Sequence, residues 1–188
     1  MPIHYALTDA LVALVAIWGA WRLVRTHKTI AAFGLALFGL AGVIGTIRIT
    51  SGLVEPLAAV HKMASQLGGV AGLTLLLCQI LQDTGWRVGK RVSFSAAIIF
   101  AALGAAFPMA GAVLFGLMLV AALAFFLKVR SLLGAIGFTL MLINMIFVRQ
   151  SALLGPDVSW HLYHVLVAAW LGCVAWTMGA PSPSRLRS

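Results

Sequence analysis

Long apolar stretches separated by short polar gaps dominate this chain. Residues 5–21, 30–47, 63–81, 92–127, 131–148 and 159–180 are almost continuous in apolar and small side chains. About 20 residues of helix cross a hydrocarbon core of about 30 Å, and five of the six stretches match single spanning helices. The exception, 92–127, has 36 residues and would reach about 54 Å as one helix. Gly104, Pro108 and Gly111 mark a tight re-entry that divides it into helices near 92–107 and 109–127. A kinked single helix is the competing reading.

Basic residues decide between the two counts, because Lys and Arg collect on cytoplasmic loops. With seven helices and the N-terminus outside, ten of the 13 Lys and Arg fall on the inner face, leaving Arg48, Lys62 and Arg149 outside. With six helices the split is seven to six, which is no bias. The sequence therefore predicts an all-α integral membrane protein, a seven-transmembrane-helix bundle with a cytoplasmic C-terminus. Residues 1–180 form one transmembrane domain and 181–188 a short cytoplasmic tail. The first apolar run lacks a preceding basic region and a small-residue cleavage site, which predicts a retained helix. A bacterial inner (plasma) membrane is the expected location.

Composition agrees: 62% of residues are hydrophobic and 9% charged, with a mean hydropathy of +1.07. That is too little polar surface for a soluble domain. The net charge of +9 would suit nucleic acid, but it is spread over four inner-face segments as the topology rule requires. Nucleic acid is therefore not an expected partner. Glycines recur at helical spacing (Gly39, Gly42 and Gly45; Gly69 and Gly72; Gly134 and Gly137), which predicts close helix packing. Cys78 and Cys173 read as free buried thiols, with no Cys-rich metal motif around them.

The polar residues at membrane depth are layered towards the outer face. Asp9, Arg48, His61, Asn144, Arg149, His161 and His164 all fall in the outer third of their helices, where each ionisable group is expensive unless it is partnered or hydrated. Asp157, His161 and His164 stand at i, i+4 and i+7, one stripe of the last helix. Two histidines one turn apart can share a metal or form an acid–base pair. Alternatively Asp157 caps the helix and the histidines reach the interface. Asp9 must be paired or face water, with Arg48 and Arg149 at compatible depths. Asp9 and His164 are the candidate catalytic residues, with Arg48, Asn144 and Arg149 as candidate ligand-binding residues.

The segment Ser159-Trp160-His161-Leu162-Tyr163-His164-Val165, on seven helices with an outside N-terminus and an intramembrane Asp, resembles the CREST group of membrane hydrolases. These are the alkaline ceramidases and progestin/adiponectin-receptor-like proteins. The resemblance implies a zinc held by His61, His161 and His164. The histidine pair is three apart here and four apart in the family, and the family's Ser-x-x-x-His is reversed as His61-x-x-x-Ser65. What it implies is a metal-dependent hydrolase of an amphipathic or lipid substrate entering from the outer leaflet. The alternative is a non-enzymatic module that binds or transports a small anionic or lipid ligand; haem between His61 and His164 is a third reading. Membrane lipid, a small amphiphile and a second copy of the chain are the partners these readings admit. Retinal is excluded, since the last helix has no lysine.

Overall fold

A computed structural model describes residues 2–149, 151 and 153–180; the expected 181–188 tail lies outside the described residues. Seven helices follow one another with short connections: α1 (Tyr5–Arg25), α2 (Thr29–Thr50), α3 (Ala58–Asp83), α4 (Lys90–Ala106), α5 (Pro108–Lys128), α6 (Leu132–Ile143) and α7 (Gly155–Met178). No strand occurs among the described residues. Helices α1, α2, α3, α5 and α7 are each long and apolar enough to cross a membrane. Helix α4 has 17 residues, and α6 is prolonged by a π-helical turn, Asn144–Val148. We call the end of the bundle where α1 begins the upper end.

The long apolar stretch is divided as its glycines and proline predict. Phe107 alone separates α4 from α5, with Pro108 opening α5, where its missing N–H costs nothing. A Cβ placed on Gly111 would lie 2.8 Å from Gly104 Cα. Seven residues of continuous helix would hold those backbones about 10 Å apart, so the chain reverses here. A side chain at Gly111 would push the two helices apart, whereas a Cβ on Gly104 would stand in ordinary contact at 3.4 Å from Gly111 Cα.

Helices α1, α2, α3, α5, α6 and α7 pack in a closed ring, each against its neighbours, and α7 returns to α1. Helix α4 sits outside the ring against α3 and α5. Small residues set the closest approaches. Cβ atoms on Gly39 and Gly42 would lie 3.1 Å from the Ala16 Cβ and 2.8 Å from the Asp9 carbonyl, so the glycine ladder of α2 is the surface on which α1 rests. The lower half is filled by aromatic rings. Trp170, fully buried, takes Phe38 and Phe138 edge-on at centroid distances of 5.0 and 5.9 Å, and Phe138 stacks on Phe126 at 5.5 Å. This plug joins α2, α5, α6 and α7 and leaves the upper half to polar groups. Lys28 and Asp83 close the lower rim with an ion pair of 2.7 Å. Both cysteines are free thiols, Cys78 buried and Cys173 partly so.

The reversal is testable through matched substitutions. Gly116, also on α5, has open space where its Cβ would stand. Gly116→Ala should be neutral or stabilising by up to about 1 kcal/mol. Gly111→Ala should destabilise the detergent-purified protein by about 1–3 kcal/mol in an unfolding titration, because it overpacks the α4–α5 contact.

Candidate functional site

Helices α1 and α7 meet along a polar seam. Helix α1 presents Tyr5, Thr8 and Asp9 at i, i+3 and i+4, and α7 presents Asp157, His161 and His164 at i, i+4 and i+7. The Tyr5 hydroxyl donates to Asp157 Oδ1. His161 Nδ1 lies 3.4 Å from Thr8 Oγ1, and His164 Nε2 lies 2.9 Å from Asp9 Oδ1. Residue numbers rise together on both helices, so α1 and α7 run parallel, as an odd number of helices requires. The Trp160 ring stacks on Tyr5 at 5.0 Å and flanks the His164 ring at 4.5 Å, shielding the seam from above.

Donor chemistry fixes where the protons sit. His164 Nδ1 is 2.8 Å from the Trp160 carbonyl oxygen, which only accepts, so Nδ1 carries a proton. A second proton then lies between Nε2 and Asp9 Oδ1, whichever atom it is assigned to. Both ring nitrogens of His164 are thereby engaged. Beside this pair, Arg48 Nη1 lies 3.4 Å from His61 Nδ1. A guanidinium only donates, so His61 Nδ1 accepts and its proton resides on Nε2. A Cβ on Gly45 would stand 2.5 Å from Asp9 Oδ2 and 2.9 Å from His61 Nε2. The missing side chain at Gly45 is therefore what lets α1 and α3 bring these groups together across α2. Asp9 is 1% exposed, and its Oδ2 has no hydrogen-bond partner.

Above the aromatic plug the ring borders a half-open cavity of about 590 Å³, within the range of small-ligand sites. Its walls differ in chemistry. Asp9, His61, Lys62, Ser65, Gln66 and His164 line it from α1, α3 and α7, with Arg149 beyond the π turn. Pro108, Ala112 and Phe115 of α5, Met141 of α6 and Met145 of the π turn form the apolar side. The π-helical turn sets the approach of Arg149, whose N–H donates to the Asn144 carbonyl five residues back; such turns often occur at functional sites.

The candidates separate into three groups. Asp9, His61, Arg149 and His164 line the cavity. Asp9 is paired by His164 of α7, where the sequence pointed to Arg48 or Arg149; parallel packing of α1 on α7 brings the imidazole closer. Arg48 lies behind His61, donating from Nε to the Val54 carbonyl at 2.8 Å. Asn144 is fully buried and donates from Nδ2 to the Tyr163 carbonyl at 2.9 Å, which makes it a strut between α6 and α7. His161 faces α1 and packs against His4 and Tyr5 at 5.1 and 5.4 Å. The stripe on α7 is thus spent on α1, and only its deepest member reaches the cavity. Lys62 joined the wall with no signal in the sequence beyond its charge, and the place of Gly45 beside Asp9 and His61 had none beyond helical spacing.

These placements do not fit a three-histidine zinc site. Among the described residues no group of three or more His, Cys, Asp or Glu side chains is placed to hold a metal ion. His161 is turned to α1, and a metal on His164 would have to displace a partner from one of its two nitrogens. The same engagement opposes a haem between His61 and His164. Comparison with protein-family models, curated proteins and solved structures returned no match.

The Asp9–His164 pair can be measured by a double-mutant cycle. Asp9→Ala and His164→Ala should each cost about 3 kcal/mol of stability in detergent, because each leaves a buried polar partner behind. The double variant should cost at least about 1 kcal/mol less than their sum. Glu55→Gln, in an upper loop, should change stability negligibly. Additive losses would contradict the pairing.

Proposed function

We propose that the protein is a non-enzymatic membrane module that binds an amphiphile in the upper cavity. The carrying observation is that the polar side chains of the cavity come from α1, α3, α7 and Arg149, among apolar ones such as Val12, Val70 and Val167, whereas α5 and α6 with its π turn contribute apolar residues alone. A ligand with a polar head and a hydrocarbon body satisfies both walls at once. A wholly polar ligand would leave the apolar wall unused, and a wholly apolar one would strand Asp9 and Lys62. The geometry supports binding over metal-assisted hydrolysis, since His164 has no free nitrogen and the three histidines do not converge.

In this reading all seven helices cross a bacterial inner membrane and the upper end faces outside. That orientation puts the basic turns after α1, α3 and α5 in the cytoplasm, in line with the bias of Lys and Arg. The ligand then enters from the outer leaflet.

Two measurements test this. A reporter fused after Ser188 should be active only in the cytoplasm, and periplasmic activity would reverse the orientation. Native mass spectrometry of the protein released from mild detergent should show a retained amphiphile. Ala112→Trp fills the apolar wall and should lose it, while Ala110→Trp, off the cavity, should keep it. Wild-type protein that retains none and binds no added acyl chain would overturn the reading.

A further inference from the structure

Resting on the amphiphile reading, we propose that the headgroup bound in the upper cavity is an oxyanion, phosphate or carboxylate, that carries a neighbouring hydroxyl. The charges facing the cavity are those of Asp9 on α1, His61 and Lys62 on α3, Arg149 after α6 and His164 on α7. Asp9 and His164 compensate each other at 2.9 Å. His61 accepts at Nδ1 from Arg48 and adds no cation of its own there. Lys62 and Arg149 are left, approaching from two sides of the cavity, and neither forms an ion pair among the described residues. The Arg149 guanidinium lies 5.9 Å from the Tyr163 ring centre, a contact that steadies it without neutralising it. Two exposed cations at the rim of one cavity, with no ion-pair partner among the described residues, favour an anion, and an arginine fork with an ammonium suits oxygen-bearing anions best.

The hydroxyl follows from Asp9. Its side chain is almost completely buried and lines the cavity, and Oδ2, on the side of Gly45 and His61, has no hydrogen-bond partner among the described residues. Whether the shared proton is counted on Asp9 or on His164, Oδ2 is an acceptor only. A second anionic oxygen would be repelled there, whereas a hydroxyl would satisfy the orphan atom. Ser65 and Gln66 line the same wall and can both donate and accept. The complementary headgroup therefore has its negative end at Lys62 and Arg149 and a donor directed to Asp9, with its chain along Ala112, Phe115 and Met145.

The test uses the full chain in dodecylmaltoside and radiolabelled 1-oleoylglycerol 3-phosphate, which has a phosphate, a hydroxyl and one chain. Lys62→Gln and Arg149→Gln alter exposed side chains and should each weaken binding about tenfold, the loss of one charge-assisted hydrogen bond. Oleyl phosphate, which lacks the hydroxyl, should bind about tenfold more weakly than the probe to wild type, and about equally to Asp9→Asn. If 1-oleoylglycerol binds as tightly as the probe, or if both Gln variants keep wild-type affinity, the oxyanion headgroup is overturned while the amphiphile cavity stands. Equal affinities of wild type for oleyl phosphate and the probe would overturn the hydroxyl. If glycerol 3-phosphate competes as well as its acylated form, the headgroup assignment holds and the amphiphile reading fails. Binding of none of these probes would overturn both.

Discussion

A carboxylate one turn into an otherwise lipid-compatible helix has to be compensated from within the protein, and Asp9 imposes that requirement on everything around it. An unpaired Asp at the centre of a spanning helix costs about 2.5–3.5 kcal/mol on insertion scales. His164 answers it at 2.9 Å, and the answer demands that α7 lie parallel to α1 and in register with it. Tyr5 with Asp157 and Thr8 with His161 extend the same register upwards. Helix α2 can then pass close behind only where it has no side chains, which is why Gly42 and Gly45 face Asp9. The register of three helices is set by one buried charge and the space left for it.

The compensation also shapes the cavity. Because His164 is held by Trp160 from one side and Asp9 from the other, its ring has one orientation in the cavity wall. The ring below is sealed by Trp170, Phe38, Phe138 and Phe126, so polar and apolar chemistry are separated along the bundle axis. Their separation across the bundle comes from the α4–α5 reversal, which supplies an apolar wall opposite the charged one. A space bounded this way is suited to holding a molecule that is itself divided into a head and a chain.

Much of the architecture was legible because long apolar helices obey strict rules of length and punctuation. Helix length, loop charge and the Gly104–Pro108–Gly111 punctuation gave the seven helices and the position of the reversal, each through a local physical requirement. The end of the helices at which polar groups collect was legible as well. Partner choice was not. Asp9 had Arg48 and Arg149 at equal depth, and depth says nothing about which helices are neighbours; the ring order does, and it placed α7 beside α1. The α7 stripe was likewise visible as a stripe, but its side of the bundle was not, so His161 and Asp157 turned out to serve α1. The π-helical turn at Asn144 left no signal in the sequence; it coincides with a tertiary hydrogen bond from Asn144 to the Tyr163 carbonyl. Gly45 looked like one more packing glycine, and its role beside Asp9 and His61 needed three helices in place.

The seam between α1 and α7 is tested most directly by reading the protons on the histidines themselves. Solid-state NMR of ¹⁵N-histidine-labelled protein in bilayers distinguishes protonated from bare ring nitrogens. His164 should carry a proton on Nδ1, with Nε2 in a strong hydrogen bond that Asp9→Ala abolishes, and His61 should carry its proton on Nε2. A His164 ring with a bare Nδ1, or one whose signals ignore Asp9→Ala, would contradict the pairing.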